Sequence, residues 1–187
     1  VDSQTVEVDL IGETATFNNV ELKQGNHVSY RYTIDSTENP KHLFVLPDSN
    51  VDTTTMKVTV QKSSSNNYSD IYAPSQSKLL LDGTSKVFFL QEGMTGKYEI
   101  YFGDGILGKR LADGNIVLVD YLTTSGVSAA GANSFVLMDS VGGFSSATIT
   151  NLTAATTGSD KESIDSIKYQ APKAFASQNR AVTKDDY

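Results

Sequence analysis

The sequence has no cysteine and no tryptophan, and only two histidines and four prolines among 187 residues. Without thiols it offers no disulfide framework, no thiolate metal site and no cysteine nucleophile. His27 and His42 stand in neither a His-x-x-x-His nor a His-x-His spacing, so zinc has no ligand frame. No Gly-x-Ser-x-Gly elbow presents a serine: Gly126-Val-Ser128 and Gly143-Phe-Ser145 both lack the second glycine. Asp48 to Asp52 and Asp185-Asp186 lack the glycine and terminal glutamate of a calcium loop. No apolar run approaches the roughly 20 residues of a bilayer span, and no secretory segment is present, so no membrane partner is expected. Lys and Arg number 15 against 22 Asp and Glu, a net charge of −7. The basic residues are scattered rather than gathered in a stripe, which argues against a nucleic-acid surface.

What the chain does have is apolar alternation. With 39% hydrophobic residues it can bury a real core. Val6, Val8 and Leu10 alternate with polar residues, as do Val28, Tyr30, Tyr32 and Ile34, then Met56, Val58 and Val60, then Tyr98, Ile100 and Phe102. His42 to Leu46, Val87 to Leu90 and Ile116 to Val119 are more continuously apolar and suit strands buried on both faces. Turn-rich pieces separate them at Asp35 to Pro40, Lys62 to Asp70 and Leu81 to Thr84. The expected fold is mainly β, α+β overall: an antiparallel sandwich or barrel-like domain followed by the start of a small helical region. Nine tyrosines are expected in core packing, with an aromatic interface patch as the alternative.

Residues 1–138 read as the β-rich domain. Residues 139–158 are rich in Gly, Ser, Thr and Ala and read as a linker or long loop, with one alternating piece at Ala147 to Leu152. Residues 159–187 read as a helical segment opening a further domain. Ser159-Asp-Lys-Glu162 has the capping-box form. Ile164, Ile167 and Ala171 follow at helical spacing, and Pro172 is expected to end the helix near Gln170. The chain begins at Val1, and Thr183 to Asp186 forms another capping box just before Tyr187, so neighbouring sequence is expected beyond both ends.

The stretch Gly103-Asp-Gly-Ile-Leu-Gly-Lys-Arg110 satisfies Gly-x-Gly-x-x-Gly and nearly satisfies a Walker A loop, with Arg110 where Ser or Thr should hold magnesium. A phosphate loop works by opening a helix whose amides and dipole face the anion. Here a strand precedes the loop, but Asp113-Gly114 is a second turn and a β run comes after it. The glycines are therefore read as geometry. Gly103, Gly105, Gly108 and Gly114 supply positive φ or close backbone approach, and Asp104 and Asp113 cap their own turns, bending the chain so that two neighbouring strands meet. No cofactor, metal, small-molecule substrate or catalytic group is expected.

The longer stretch Tyr98 to Gly126 resembles the signature of the baseplate-J family of contractile phage tails: a strand, Phe-Gly-Asp-Gly-x-x-Gly, a second glycine, then an Ile/Val-rich strand ending in Tyr and Gly. Residues 158–187 resemble the family's second block, with Glu162, Ile164, the Ala171-Pro172 pair, and the Arg180, Thr183, Asp186 and Tyr187 box. Within the family the chain looks most like the wedge subunits of gene-product-six type. The resemblance implies a non-enzymatic virion protein, made in the host cytoplasm and located in the tail baseplate. Its implied partners are itself, as a homodimer or through ring contacts, and other wedge proteins. The implied role is to hold wedges together and take part in the switch that leads to sheath contraction. A contractile injection system of non-phage origin would share the motifs. A different class of function, a β-sandwich adhesin or carbohydrate-binding module of a tail fibre, would instead require an exposed aromatic platform.

Overall fold

The pleat of a strand sends alternate side chains to opposite faces, so the alternating segments each acquire one buried face. The computed structural model describes residues 6–9, 11, 14–75, 81–140, 143, 145, 147–156 and 158–177. The strands are β1 (Val6–Asp9), β2 (Thr14–Phe17), β3 (Asn26–Thr33), β4 (Phe44–Val45), β5 (Val51–Ser63), β6 (Asn66–Pro74), β7 (Val87–Glu92), β8 (Tyr98–Phe102) and β9 (Ile116–Thr123). A 3-10 turn at Gly126–Ala129 and the helix α1 (Ile164–Ser177) come after them. The chain divides into two compact units, Val1–Thr124 and Ser125–Tyr187.

In the first unit β1 and β2 form a separate antiparallel hairpin, and the other strands form one sheet in the order β3-β9-β5-β6-β7-β8-β4. The sheet is nearly closed and barrel-like. Its two outermost strands, β3 and β4, meet through side chains: Tyr32 Oη donates to Val45 O at 3.2 Å, and the Tyr32 and Phe44 rings lie 4.9 Å apart. All pairings are antiparallel except β6 with β7, whose parallel register joins Ala73 to Val87 and Pro74 to Phe88. Parallel pairing rules out a tight hairpin between those two strands.

Val58, Val60, Val117, Val119, Ile100, Phe88 and Tyr121 point inward and are buried. Rings run through this core, from Tyr121 to Tyr30 at 6.1 Å, Tyr30 to Tyr32 at 6.4 Å, and Tyr72 to Phe102 at 5.7 Å. The tyrosines of β3 and β9 thus serve packing. The buried Tyr121 hydroxyl is satisfied by Asp48 Oδ2 at 2.6 Å, and its pKa is raised by burial first and by Asp48 second. In β5 the ladder to β9 is interrupted between Asp52 and Lys57. There the Asp52 carboxylate accepts from Thr54, and the Thr55 hydroxyl accepts the Leu122 amide at 3.0 Å in place of a backbone carbonyl.

Three expectations change. The turn expected over Lys62 to Asp70 shrinks to Ser64-Ser65, and β6 takes over from Asn66, because Asn and Ser tolerate an exposed strand when Tyr72 anchors its inward face. The strand expected from His42 to Leu46 is only Phe44–Val45, with Phe44 and Leu46 buried and Val45 exposed, so one face is covered rather than two. The alternating piece at Ala147 to Leu152 is not a strand.

In the second unit the backbone of Ala155 bonds to both Gly131 (2.7 Å) and Ala132 (2.8 Å), and Asn151 Nδ2 donates to Asn133 O. These bonds fasten the base of the intervening excursion. Helix α1 is capped four residues later than the box at Ser159 suggested. Ser163 is the cap, accepting the Ser166 amide at 3.2 Å, while the Glu162 carboxylate accepts the Ser166 hydroxyl. Pro172 does not end the helix but lies inside it. A proline removes one intrahelical bond and crowds the carbonyl four residues back. Across that weak point Lys173 Nζ sits 3.7 Å from the Tyr169 ring centroid, an i,i+4 cation–π staple, and alanines at 171, 174 and 176 favour helix on both sides.

Candidate functional site

The glycine loop, residues 103–115, leaves β8 and enters β9, but these strands are not neighbours. Strand β9 lies between β3 and β5, and β8 lies between β7 and β4. The reading that the loop lets two adjacent strands meet is therefore corrected. Its route from β8 to β9 passes the ends of β4 and β3, the seam that backbone pairing leaves open. It is a strap across that seam.

Each end of the strap is tied down. At the first end, Asp104 Oδ1 accepts the amides of Ile106 and Leu107, both at 2.9 Å, as the capping expectation required. Gly105 N donates to Gly108 O at 3.0 Å, Gly108 N to Asp82 O at 2.9 Å, and Lys109 N to Ser85 O at 2.8 Å. The strap thereby rests on the turn before β7. A Cβ on Gly103 would overlap the carbonyl of Gly108, and one on Gly83 would overlap the carbonyl of Gly105. Gly105 (φ 95°), Gly108 (φ 91°) and Gly114 (φ 80°) adopt the left-handed region that glycine tolerates. The supporting turn is set by Asp82, whose carboxylate accepts from Ser85 and Thr84, bonds that lower its pKa to about 2.

At the second end, Gly114 N donates to Ile34 O (2.9 Å), Ile34 N to Asn115 O (2.8 Å), and Asn115 Nδ2 to Lys62 O (2.8 Å). Asp113 does not cap its own turn. Its Oδ1 accepts from Ser36 N at 2.8 Å and from Ser36 Oγ at 2.6 Å, joining the strap to the β3–β4 connection. The Ser36 hydroxyl also lies 3.0 Å from His42 Nε2. Because that hydroxyl donates to Asp113, it accepts from the imidazole, which fixes the neutral ring with its proton on Nε2.

Ser36, His42 and Asp113 are the three residue types of a hydrolytic triad, but their order is wrong for one. The serine proton is directed at the carboxylate, and the imidazole is a donor to the serine rather than its base. The trio is a clasp. Nothing in the sequence signalled it, since Ser36 and Asp113 are 77 positions apart. His42 is buried and holds a left-handed φ of 46°, imposed by Asn39, whose side chain brackets both N and O of Leu43. Its pKa is lowered, by burial first and then by the charge of Arg110, with Asp113 opposing.

Two depressions flank the root of the strap and share Phe102, Gly103 and Asp104. One, of about 210 Å³, is apolar and bounded by Phe89, Tyr101 and Leu107. The other, of about 270 Å³, is bounded by Pro40, Lys41, His42 and Arg110. Arg110 and Lys41 form no ion pair among the described residues, whereas Lys86 and Lys109 both engage Asp70, at 2.7 and 3.6 Å. No helix begins at Lys109, and the amides of residues 105–109 are spent on backbone carbonyls and on Asp104. Among the described residues no three His, Asp or Glu side chains gather to hold a metal. The arrangement is suited to contact between macromolecules: a rigid loop displaying Ile106, 75% exposed, between an apolar and a basic hollow.

Of the second motif block, Glu162 and Ile164 sit at the helix start, and Ala171 and Pro172 lie exposed within α1. Arg180, Thr183, Asp186 and Tyr187 lie outside the described residues.

The sequence profile described as bacteriophage baseplate wedge protein gp6, third domain, matches residues 30–129. That interval takes in the barrel from Tyr30 on β3 through β9, together with the whole strap, and leaves out the β1–β2 hairpin and α1. Baseplate wedge protein gp6 of Enterobacteria phage T4 is 25% identical over 134 residues, covering 56% of this chain and 19% of that protein. The chain therefore corresponds to a small part of its relative's length.

Proposed function

The chain belongs to the bacteriophage baseplate wedge protein gp6, third-domain family, and from that membership we propose that it is a structural piece of a contractile-tail baseplate. Its task is to keep wedges joined while the baseplate changes shape. The observation behind this reading is that the family match coincides with the strapped barrel. A sheet closed by a loop hydrogen-bonded at both ends resists opening, because shifting either end breaks several bonds together. Such a body transmits displacement instead of absorbing it, as packed cores do. Its partners are further copies of the chain and other wedge proteins, meeting through interfaces that bury more than roughly 1,000 Å² each.

The role is tested by labelling purified tails with gold-tagged antibody against residues 26–124. Label on the baseplate is expected. Label confined to fibre tips, or absent from the particle, would remove the wedge reading and favour an adhesin.

A further inference from the structure

Among the described residues the β1–β2 hairpin forms a sheet of its own. A lone two-stranded ribbon is marginal in water and needs a surface to rest on. It carries apolar side chains beside carboxylates: Val8, Phe17 and Ile11 are exposed, Ile11 by 97%, and Glu7 and Asp9 share one face of β1. Asp9 Oδ1 accepts the Ile11 amide at 2.9 Å, so the isoleucine and a carboxylate are fixed together at the turn. The strap offers the complement. Its mainly apolar hollow of about 210 Å³ has room for an aliphatic side chain, and the adjoining hollow presents two cations, Arg110 and Lys41, against one carboxylate, Asp104, which already accepts the Ile106 and Leu107 amides.

We propose that the hollows at the root of the strap receive the β1–β2 hairpin of a second copy, Ile11 entering beside Tyr101 and Leu107, and Glu7 and Asp9 facing Arg110 and Lys41. Reciprocal exchange of hairpins closes a two-fold pair and uses both arms. It gives the hairpin its missing support and brings opposite charges together on a chain that is otherwise acidic. The inference rests on self-association being part of the proposed role, and it names the contact.

The test is light scattering of the 187-residue chain, with variants Ile11→Asp, Arg110→Glu and the double variant Arg110→Glu with Glu7→Lys. The unaltered chain is expected at twice the monomer mass. Each single variant weakens association by roughly tenfold or more, and the double variant recovers most of that loss. Thermal melting of Arg110→Glu should stay within a degree or two of the unaltered chain, which separates lost contact from lost folding. A monomer at about 0.1 mM protein (well above the roughly micromolar range of transient contacts), a dimer indifferent to both single substitutions, or a double variant no better than Arg110→Glu would each overturn hairpin exchange. A monomer whose hairpin amides are nonetheless protected would place the hairpin on its own chain and overturn it equally. Gold label still found on the baseplate in any of these cases would leave the structural role standing without this contact.

Discussion

The inward face of the barrel hides large side chains and α1 displays them. Tyr121, Phe88 and Ile100 are 1%, 1% and 0% exposed, whereas Ile164, Tyr169 and Phe175 are 70%, 64% and 87% exposed. Apolar residues alone therefore do not make a core. In the barrel each strand is fixed by partners distant in sequence, and burial comes from closure. In α1 the fixing interactions are local, a serine cap and one cation–π staple, and its apolar side chains stay exposed.

The contrast is sharpest in truncation. Ile100→Ala should cost about 3–4 kcal/mol, because the cavity sits where neighbours cannot collapse. Ile167→Ala should stay within about 0.5 kcal/mol, since its side chain is half in water already. Denaturant unfolding of the two variants measures the difference. Equal costs would mean that α1 is packed in solution and that the comparison fails.

A second test stays inside the strap and separates two reasons for glycine. Gly103→Ala drives a Cβ into the backbone of Gly108, which has no flexible end to give way, and should cost about 3 kcal/mol. Gly114→Ala meets nothing within 4 Å and suffers only its φ of 80°, so about 1 kcal/mol is expected. The reverse order would mean that the loop's self-contact is not what holds it.

Strand existence was legible because alternation is local: β3, β5, β8 and β9 track the apolar rows of Tyr30, Val58, Ile100 and Val119. The turn character of Gly103, Asp104, Gly105 and Gly108 was legible for the same reason. The path of the strap was not. Which strands it joins depends on bonds such as Asn115 to Lys62 and Asp113 to Ser36, separated by 53 and 77 positions. Asp113 therefore looked like a cap of its own turn when it is a tie to another loop. His42 was read as a strand residue because nothing local shows that the Asn39 side chain forces it left-handed. Pro172 was read as a stop because its rule is one of preference, and the staple between Tyr169 and Lys173 lies on either side of it.

Acid provides a milder probe of the strap. The His42 pKa is lowered in the folded state, so the unfolded chain binds a proton first. Its contribution is complete above the unfolded value of 6.5 and fades as pH falls below it. Asp113 and Asp82 are also lowered, Asp113 by Ser36 and Asp82 to about 2 by Ser85 and Thr84. Their contributions are complete above 3.8 and fade below it, for Asp82 down to about pH 2. Hydrogen-exchange protection factors, corrected for the intrinsic pH dependence of amide exchange, should fall first at the Ser36 and Gly114 amides as pH drops below about 6.5, and at the Gly108 amide only below about pH 4. Exchange at Gly108 that rises first would show the two ends of the strap loosening in the opposite order.

The smallest effect on global melting comes from the far side of the comparison. Pro172→Ala restores an amide to α1 and removes the clash with the carbonyl of residue 168. Helix propensity there improves by up to about 3 kcal/mol, and circular dichroism should show more helix. The barrel's melting midpoint should not move, because the helix's exposed apolar row contributes nothing to the core around Val58, Ile100 and Val119. An upward shift of the midpoint by several degrees would show α1 and the barrel unfolding as one cooperative body. The exposed row of Ile164, Ile167 and Phe175 would then be a buried interface of the chain itself, and no longer a surface awaiting a partner.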